Sequence, residues 1–193
     1  MARWDPGTQE RLKKAALELF QEHGYEGVTV TQIAERAGIT RRSYFRYFPD
    51  KREVLFAGSE QLPVAVSDAL LDADEAASPL AAALDALSRV GSRLVAHVDQ
   101  AAERRAVIDS SAELQERERT KLATLTMAIR DGLTRRGVPP DRAGLVAQIA
   151  VVAFQNAFGR WIDARGQLDF PSCLRTAATA LREAVATDAV PRH

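Results

Sequence analysis

Two apolar repeats separated by a single glycine limit most strongly what this chain can become. Val30, Ile33, Ala34 and Ala37 fall at i, i+3, i+4 and i+7, the spacing of one face of an α-helix. Gly38 stops that helix. Ile39 lies in the turn, where it plugs the angle between two helices. Thr40 caps a third helix, predicted from Arg41 to about Phe48. Pro49 ends it, and Asp50 caps a further helix whose first turn is Lys51-Arg52-Glu53. Two short helices joined by a glycine-containing turn form the helix-turn-helix layout. In that layout the second helix lies in the major groove of DNA.

The charge pattern agrees. Between Arg36 and Arg52 the basic residues are Arg36, Arg41, Arg42, Arg46, Lys51 and Arg52, and the only acid is Asp50. The chain as a whole balances 26 Lys and Arg against 26 Asp and Glu. A basic patch on a neutral body is an electrostatic footprint for a polyanion. Tyr44 and Phe48 are expected to face inward against Ile33 and Leu19, leaving the arginines outside. A first helix precedes the pair: Leu12, Ala15, Ala16, Leu19 and Phe20 keep helical spacing, and Gly24 is expected to end it.

The remainder, from about residue 60, is close to neutral and reads as a run of long helices. One opens at Ser78-Pro79 and continues to about His97, and a shorter polar one follows over Asp99 to Asp109. A long helix is expected from about Ala112 to Arg136, charged in its first half and apolar on one side in its second. Another runs from Asp141 to near Gly166 and is apolar almost all round between Leu145 and Ile162. Such a helix should pack on its own domain with one face and on something else with the other. The last helix, about Phe170 to Thr187, places Leu174, Ala177, Ala178, Leu181 and Val185 at helical spacing. Two terminal helices paired with their symmetry mates would make a four-helix dimer interface. The expectation is an all-α fold of about nine helices: a helix-turn-helix domain over 1–56 and a larger helical domain that dimerises over 57–193.

Composition removes other classes. Hydrophobic residues make up 46% and charged residues 27%, which argues against a wholly disordered chain. One cysteine excludes an internal disulfide framework. No run of about 20 uninterrupted apolar residues suggests a membrane span, and the N-terminus has no apolar signal region, so a cytoplasmic protein without membrane contact is expected. Phosphate-cradling, nucleophile-elbow and zinc-protease motifs are missing, so neither catalytic residues, nor a cofactor, nor a metal site is expected. Of the three histidines, His97 could line a pocket, but capping or packing is the simpler reading. Cys173 follows Pro171-Ser172 at a helix N-terminus, which can lower a thiol pKa. A small buried hydrophobe is the competing reading.

The segments Ala15-Ala16-Leu17-Glu18-Leu19-Phe20, Gly24 to Val30, Ile33 to Thr40 and Phe45 to Lys51 resemble the N-terminal domain of TetR-family transcriptional repressors, without a gap over about residues 8 to 56. The C-terminal body resembles that family only in plan. The resemblance implies a homodimer, formed through the last two helices, that binds a double-stranded DNA operator and is released when a small effector spreads the DNA-reading heads. The resemblance alone implies the effector-binding role of 57–193. It assigns Thr29 and Thr31 to phosphate or a base edge. Thr40 caps the recognition helix, and Arg41, Arg42 and Ser43 take the base-reading positions. Thr40, Arg46, Tyr47 and Lys51 also fall among the DNA contacts. Phe45 stands where many members have a tyrosine, so a phenolic phosphate contact is lost there. Adjacent arginines favour guanine, whose O6/N7 pair matches the guanidinium fork.

Effector residues are less marked. Leu125, Ile129, Phe154, Gln155, Phe158 and Trp161, with Asn156 beside them, are candidates for a pocket that would suit an apolar or amphipathic molecule. Core or interface packing competes for each aromatic. The leading reading is a repressor released by an unknown small effector. The alternatives are a constitutive DNA-binding regulator without an inducer, and an all-α enzyme or adaptor that retains the head.

Overall fold

The structure is a computed structural model that describes residues 6–95 and 100–187. Its α-helices are α1 (Pro6–Gly27), α2 (Val30–Arg36), α3 (Arg41–Tyr44), α4 (Glu53–Phe56), α5 (Leu62–Leu71), α6 (Pro79–Val95), α7 (Ala101–Asp109), α8 (Ala112–Arg135), α9 (Pro140–Asp163) and α10 (Phe170–Thr187). A 3-10 turn over Ser59–Gln61 links α4 to α5, and the described residues contain no strand. His97, His193 and the side chain of Val185 lie outside the described residues. Two compact units emerge. The first comprises Met1–Glu60 and Gln100–Thr120, the second Gln61–Asp99 and Lys121–His193.

The first unit is built around Leu12, Ala16, Leu19, Phe20, Tyr25, Ile33, Tyr44 and Phe48, with Val54, Leu55 and Phe56 from α4. Val107, Ile108 and Leu114 complete the same core, so α7 and the start of α8 pack here. Gly24 takes φ 73° and ψ 156°, outside the helical region, and breaks the first helix where expected; a short turn to Gly27 follows within α1. The recognition helix is shorter than expected. After Tyr44 the chain tightens, with the amides of Tyr47 and Phe48 both donating to the Tyr44 carbonyl at 2.9 and 3.1 Å. Pro49, which has no amide to donate to the Phe45 carbonyl, bars the helix from continuing past Phe48.

The second unit holds α5, α6, the remainder of α8, α9 and α10. α9 is long and apolar enough, by length and composition alone, to cross a membrane. One of its faces is nonetheless core: Ala143, Ala147, Ala150, Phe154 and Ala157 are buried with Leu87 of α6 and Leu174 and Ala177 of α10. Its other face carries Leu145, Ile149 and Val152 in the open, with Leu145 63% exposed. Cys173 is buried in this core, and burial, followed by the nearby Asp169 charge, pushes its thiol up. Gly91 of α6 is the closest approach. A Cβ there would lie 2.1 Å from Cε1 of Phe170, so only glycine admits that ring. Arg136 closes α5 by donating to the carbonyls of Leu70, Ala73 and Asp74 at 3.0, 2.9 and 2.7 Å.

Candidate nucleic-acid interface

Each short helix of the motif starts from a side-chain cap. Thr29 Oγ1 accepts from the Gln32 amide at 3.3 Å, while Gln32 Oε1 accepts from the Thr29 amide at 2.8 Å, a complete capping box. Thr40 Oγ1 accepts from the Ser43 amide at 3.1 Å. The Thr40 and Ser43 hydroxyls are themselves 3.0 Å apart. These caps matter because helices of seven and four residues are too short to persist alone.

Below the surface, Tyr44 anchors α3. It is fully buried, and its phenol donates to the Asp50 carbonyl at 3.0 Å. Burial, then the Asp50 and Glu53 charges, push that phenol above its ordinary value, so it stays a neutral donor. Its ring meets Phe48 at 5.6 Å and Phe45 edge-on at 5.6 Å. Phe45 itself points outward.

The six basic residues separate into two kinds. Arg36 forks onto Glu22 at 3.1 and 2.9 Å, with Glu18 3.6 Å away. Arg52 pairs with Asp50 at 2.8 Å and Glu113 at 3.3 Å. Lys51 donates to the carbonyls of Tyr25 at 2.8 Å and Val28 at 3.1 Å. Arg41, Arg42 and Arg46 are exposed and make no ion pair or hydrogen bond among the described residues. Arg41 instead lays its guanidinium over the Phe45 ring, 5.3 Å from the centroid. The basic residues of the cluster that are held by no ion pair or hydrogen bond therefore sit on and directly after α3.

All nine residues expected to meet DNA lie in this unit. Thr29, Thr31, Thr40, Arg41, Arg42 and Arg46 are exposed, and Ser43, Tyr47 and Lys51 are half-buried. Sequence reasoning missed the part played by α7 and α8. Arg117 pairs with Glu53, Glu113 pairs with Arg52, and Arg104 donates to the Leu55 carbonyl at 2.5 Å. The charged first half of α8 was the available signal, since it is these charges that face α4. Between them lies an open polar cleft of about 530 Å³, lined by Pro49, Asp50, Arg52, Glu53, Glu113, Glu116, Arg117 and Thr120.

The effector candidates are divided. Leu125, Ile129 and Phe154 are buried in the core of the second unit, with Phe158 and Trp161 packed against it. Phe154 stacks with Phe158 at 6.4 Å, and Phe158 meets Trp161 at 5.8 Å. Gln155 and Asn156 are exposed and do not join them.

A four-residue recognition helix, capped by threonine and bearing two unpaired arginines, with a third just after it, defines the first unit as a helix-turn-helix head. Residues 12–57 match the family described as bacterial regulatory proteins, tetR family. TcmR, an HTH-type transcriptional regulator of Streptomyces glaucescens, is 49% identical over 47 residues, which span 24% of this chain and 21% of TcmR. The chain thus matches only about a fifth of that relative's length. MT2310, an HTH-type transcriptional regulator of Mycobacterium tuberculosis, is 27% identical over 157 residues, covering 78% of this chain and 82% of its own. Among solved structures, the transcriptional regulator FadR of Bacillus subtilis, in complex with stearoyl-CoA, shares the fold at a TM-score of 0.58 and 19% identity, over 89% of this chain and 96% of its own.

Proposed function

We propose that the protein is a homodimeric transcriptional repressor that binds a palindromic DNA operator and is released by a small apolar or amphipathic effector. The observation that carries the reading is the exposed, unpaired set Arg41, Arg42 and Arg46, on and just after a helix held by Tyr44 and Thr40. The DNA-binding domain is residues 1–56, with 100–120 packed on it, and the effector and dimerisation functions belong to 57–193. Thr29, Thr31, Thr40, Arg46, Tyr47 and Lys51 contact phosphate or base edges, and Arg41, Arg42 and Ser43 read bases. A third N–H of Lys51 is left for a phosphate beyond its two carbonyls.

Dimerisation uses α9 and α10. It is supported by the exposed stripe Leu145, Ile149 and Val152, apolar side chains in water on a helix whose opposite face is core. Two heads would then meet half-sites about 34–36 Å apart. Repression is steric exclusion of polymerase in the cytoplasm, and no enzymatic role is proposed. The effector reading is supported by the aromatic series Phe154, Phe158 and Trp161 and by the stearoyl-CoA bound to the FadR whose fold this chain shares.

A fluorescence-anisotropy titration tests the reading. DNA from the protein's own upstream region is titrated at two salt concentrations against scrambled competitor. Tight binding that survives competitor is expected. Weak binding that collapses with salt, there and on DNA selected from a random pool, would leave only a phosphate-attracted head.

A further inference from the structure

This inference rests on the operator-binding reading and deepens it. Four side chains on α3 and the turn after it are exposed: Arg41, Arg42, Phe45 and Arg46. Three are cations and one is an aromatic ring that is 44% exposed. The inward side of this segment is already filled by Tyr44 and Phe48, so the core has no need of Phe45. The ring is also held. Tyr44 meets it edge-on at 5.6 Å, and the Arg41 guanidinium covers it at 5.3 Å.

A guanidinium stacked on a ring keeps its N–H fork in its own plane, free to donate bidentately. Guanine presents O6 and N7 to such a fork. Thymine is marked in the major groove by its C5-methyl group, which an apolar side chain such as Phe reads by contact. Stacked base pairs rise about 3.4 Å per step, so a ring centroid 5.3 Å from the guanidinium carbon spans one or two steps. We propose that Phe45 is a specificity-determining residue. It packs on the C5-methyl of a thymine within one or two base pairs of the guanine read by Arg41, and it holds the Arg41 guanidinium in its reading pose.

The test uses the full chain. An operator is first selected from a random duplex pool, then resynthesised with each thymine in turn replaced by deoxyuridine, which removes the methyl group alone. Wild-type protein should lose about fourfold in affinity per half-site at one such position, the factor that corresponds to about 0.8 kcal/mol for one buried methyl group. Phe45→Ala should bind the two duplexes alike. Phe45→Leu, apolar but without a ring face, should keep the methyl response and discriminate less between guanine and adenine at the neighbouring position. Failure to enrich any site would overturn the operator-binding reading itself, and this inference with it. An enriched site at which no deoxyuridine weakens wild-type binding even twofold would overturn the Phe45 assignment alone. So would a methyl response that a folded Phe45→Ala retains. The deoxyuridine comparison changes only the DNA, so it stands even where a variant fails to fold.

Discussion

The ammonium of Lys51 lies 3.9 Å from the centre of the Tyr25 ring while it donates to the carbonyls of Tyr25 and Val28. One cation thereby ties the last turn of α1 to the chain as it enters α2. Lys51→Met should lower the melting temperature by the equivalent of about 2 kcal/mol, from two charge-assisted hydrogen bonds and a cation–π contact. The remaining N–H is expected on phosphate. The slope of log affinity against log salt should then fall in magnitude by about 0.9 per head. An unchanged slope with a lowered melting temperature would restrict Lys51 to holding the fold.

The division of the basic cluster makes a second prediction. Arg41→Ala, Arg42→Ala and Arg46→Ala should each weaken operator binding strongly, by about 1–3 kcal/mol where a base edge is read. Arg36→Ala breaks pairs with Glu22 and Glu18 and should leave the salt slope as it is. Titrations of the four variants at several salt concentrations check this. A slope change for Arg36→Ala would place its charge on DNA instead.

Acid should loosen the head through Asp50. Burial pushes that carboxyl up. The Arg52 guanidinium and the amides of Glu53 and Arg52 outweigh it, and hold the carboxyl below its ordinary value. A group whose folded pKa lies below its unfolded one contributes stability that is present above the unfolded value, about 3.9, and is lost as pH falls through the folded value. Melting curves should therefore be insensitive to Asp50 from neutral pH down to about 5 and lose its contribution below about 4. Asp50→Asn should be less stable at neutral pH and show a shallower acid loss.

How much of this was legible beforehand follows from what each feature depends on. α2 and the inward Tyr44 and Phe48 depend on spacing within one helix, and spacing is written in the sequence. α5 was not anticipated, because Leu62–Leu71 is apolar along most of its length and Val64 and Leu71 remain exposed, so no face stands out. The pairing of Arg36 with Glu22, and of Glu113 with Arg52, joins residues on different helices. Periodicity locates a charge on a surface but does not say which surface it meets. Gln155 shows the same limit, since its neighbours Phe154 and Phe158 turn inward and it does not.

The exposed stripe of α9 can be challenged directly. Ile149→Glu with Leu145→Glu should convert a dimer to a folded monomer, seen by sedimentation, and weaken operator binding without loss of helical signal. A dimer that survives both charges would move the interface elsewhere.

Packing in the second unit is tested at Gly91. Gly91→Ala should destabilise by about 1–3 kcal/mol, the range for overfilling a packed core. Phe170→Leu in the same chain should recover part of that loss, because the two sites share one space and their effects will not add.

That shared space also limits how the sequence can drift. With the Phe170 ring where a Cβ of residue 91 would stand, neither position can change freely while the other is kept. A larger residue at 91 is tolerated only after residue 170 has become smaller, because enlarging 91 first drives its Cβ into the ring. Descendants of this chain should therefore lose the ring first and the glycine second, and two positions remote along the chain would be inherited as a linked pair.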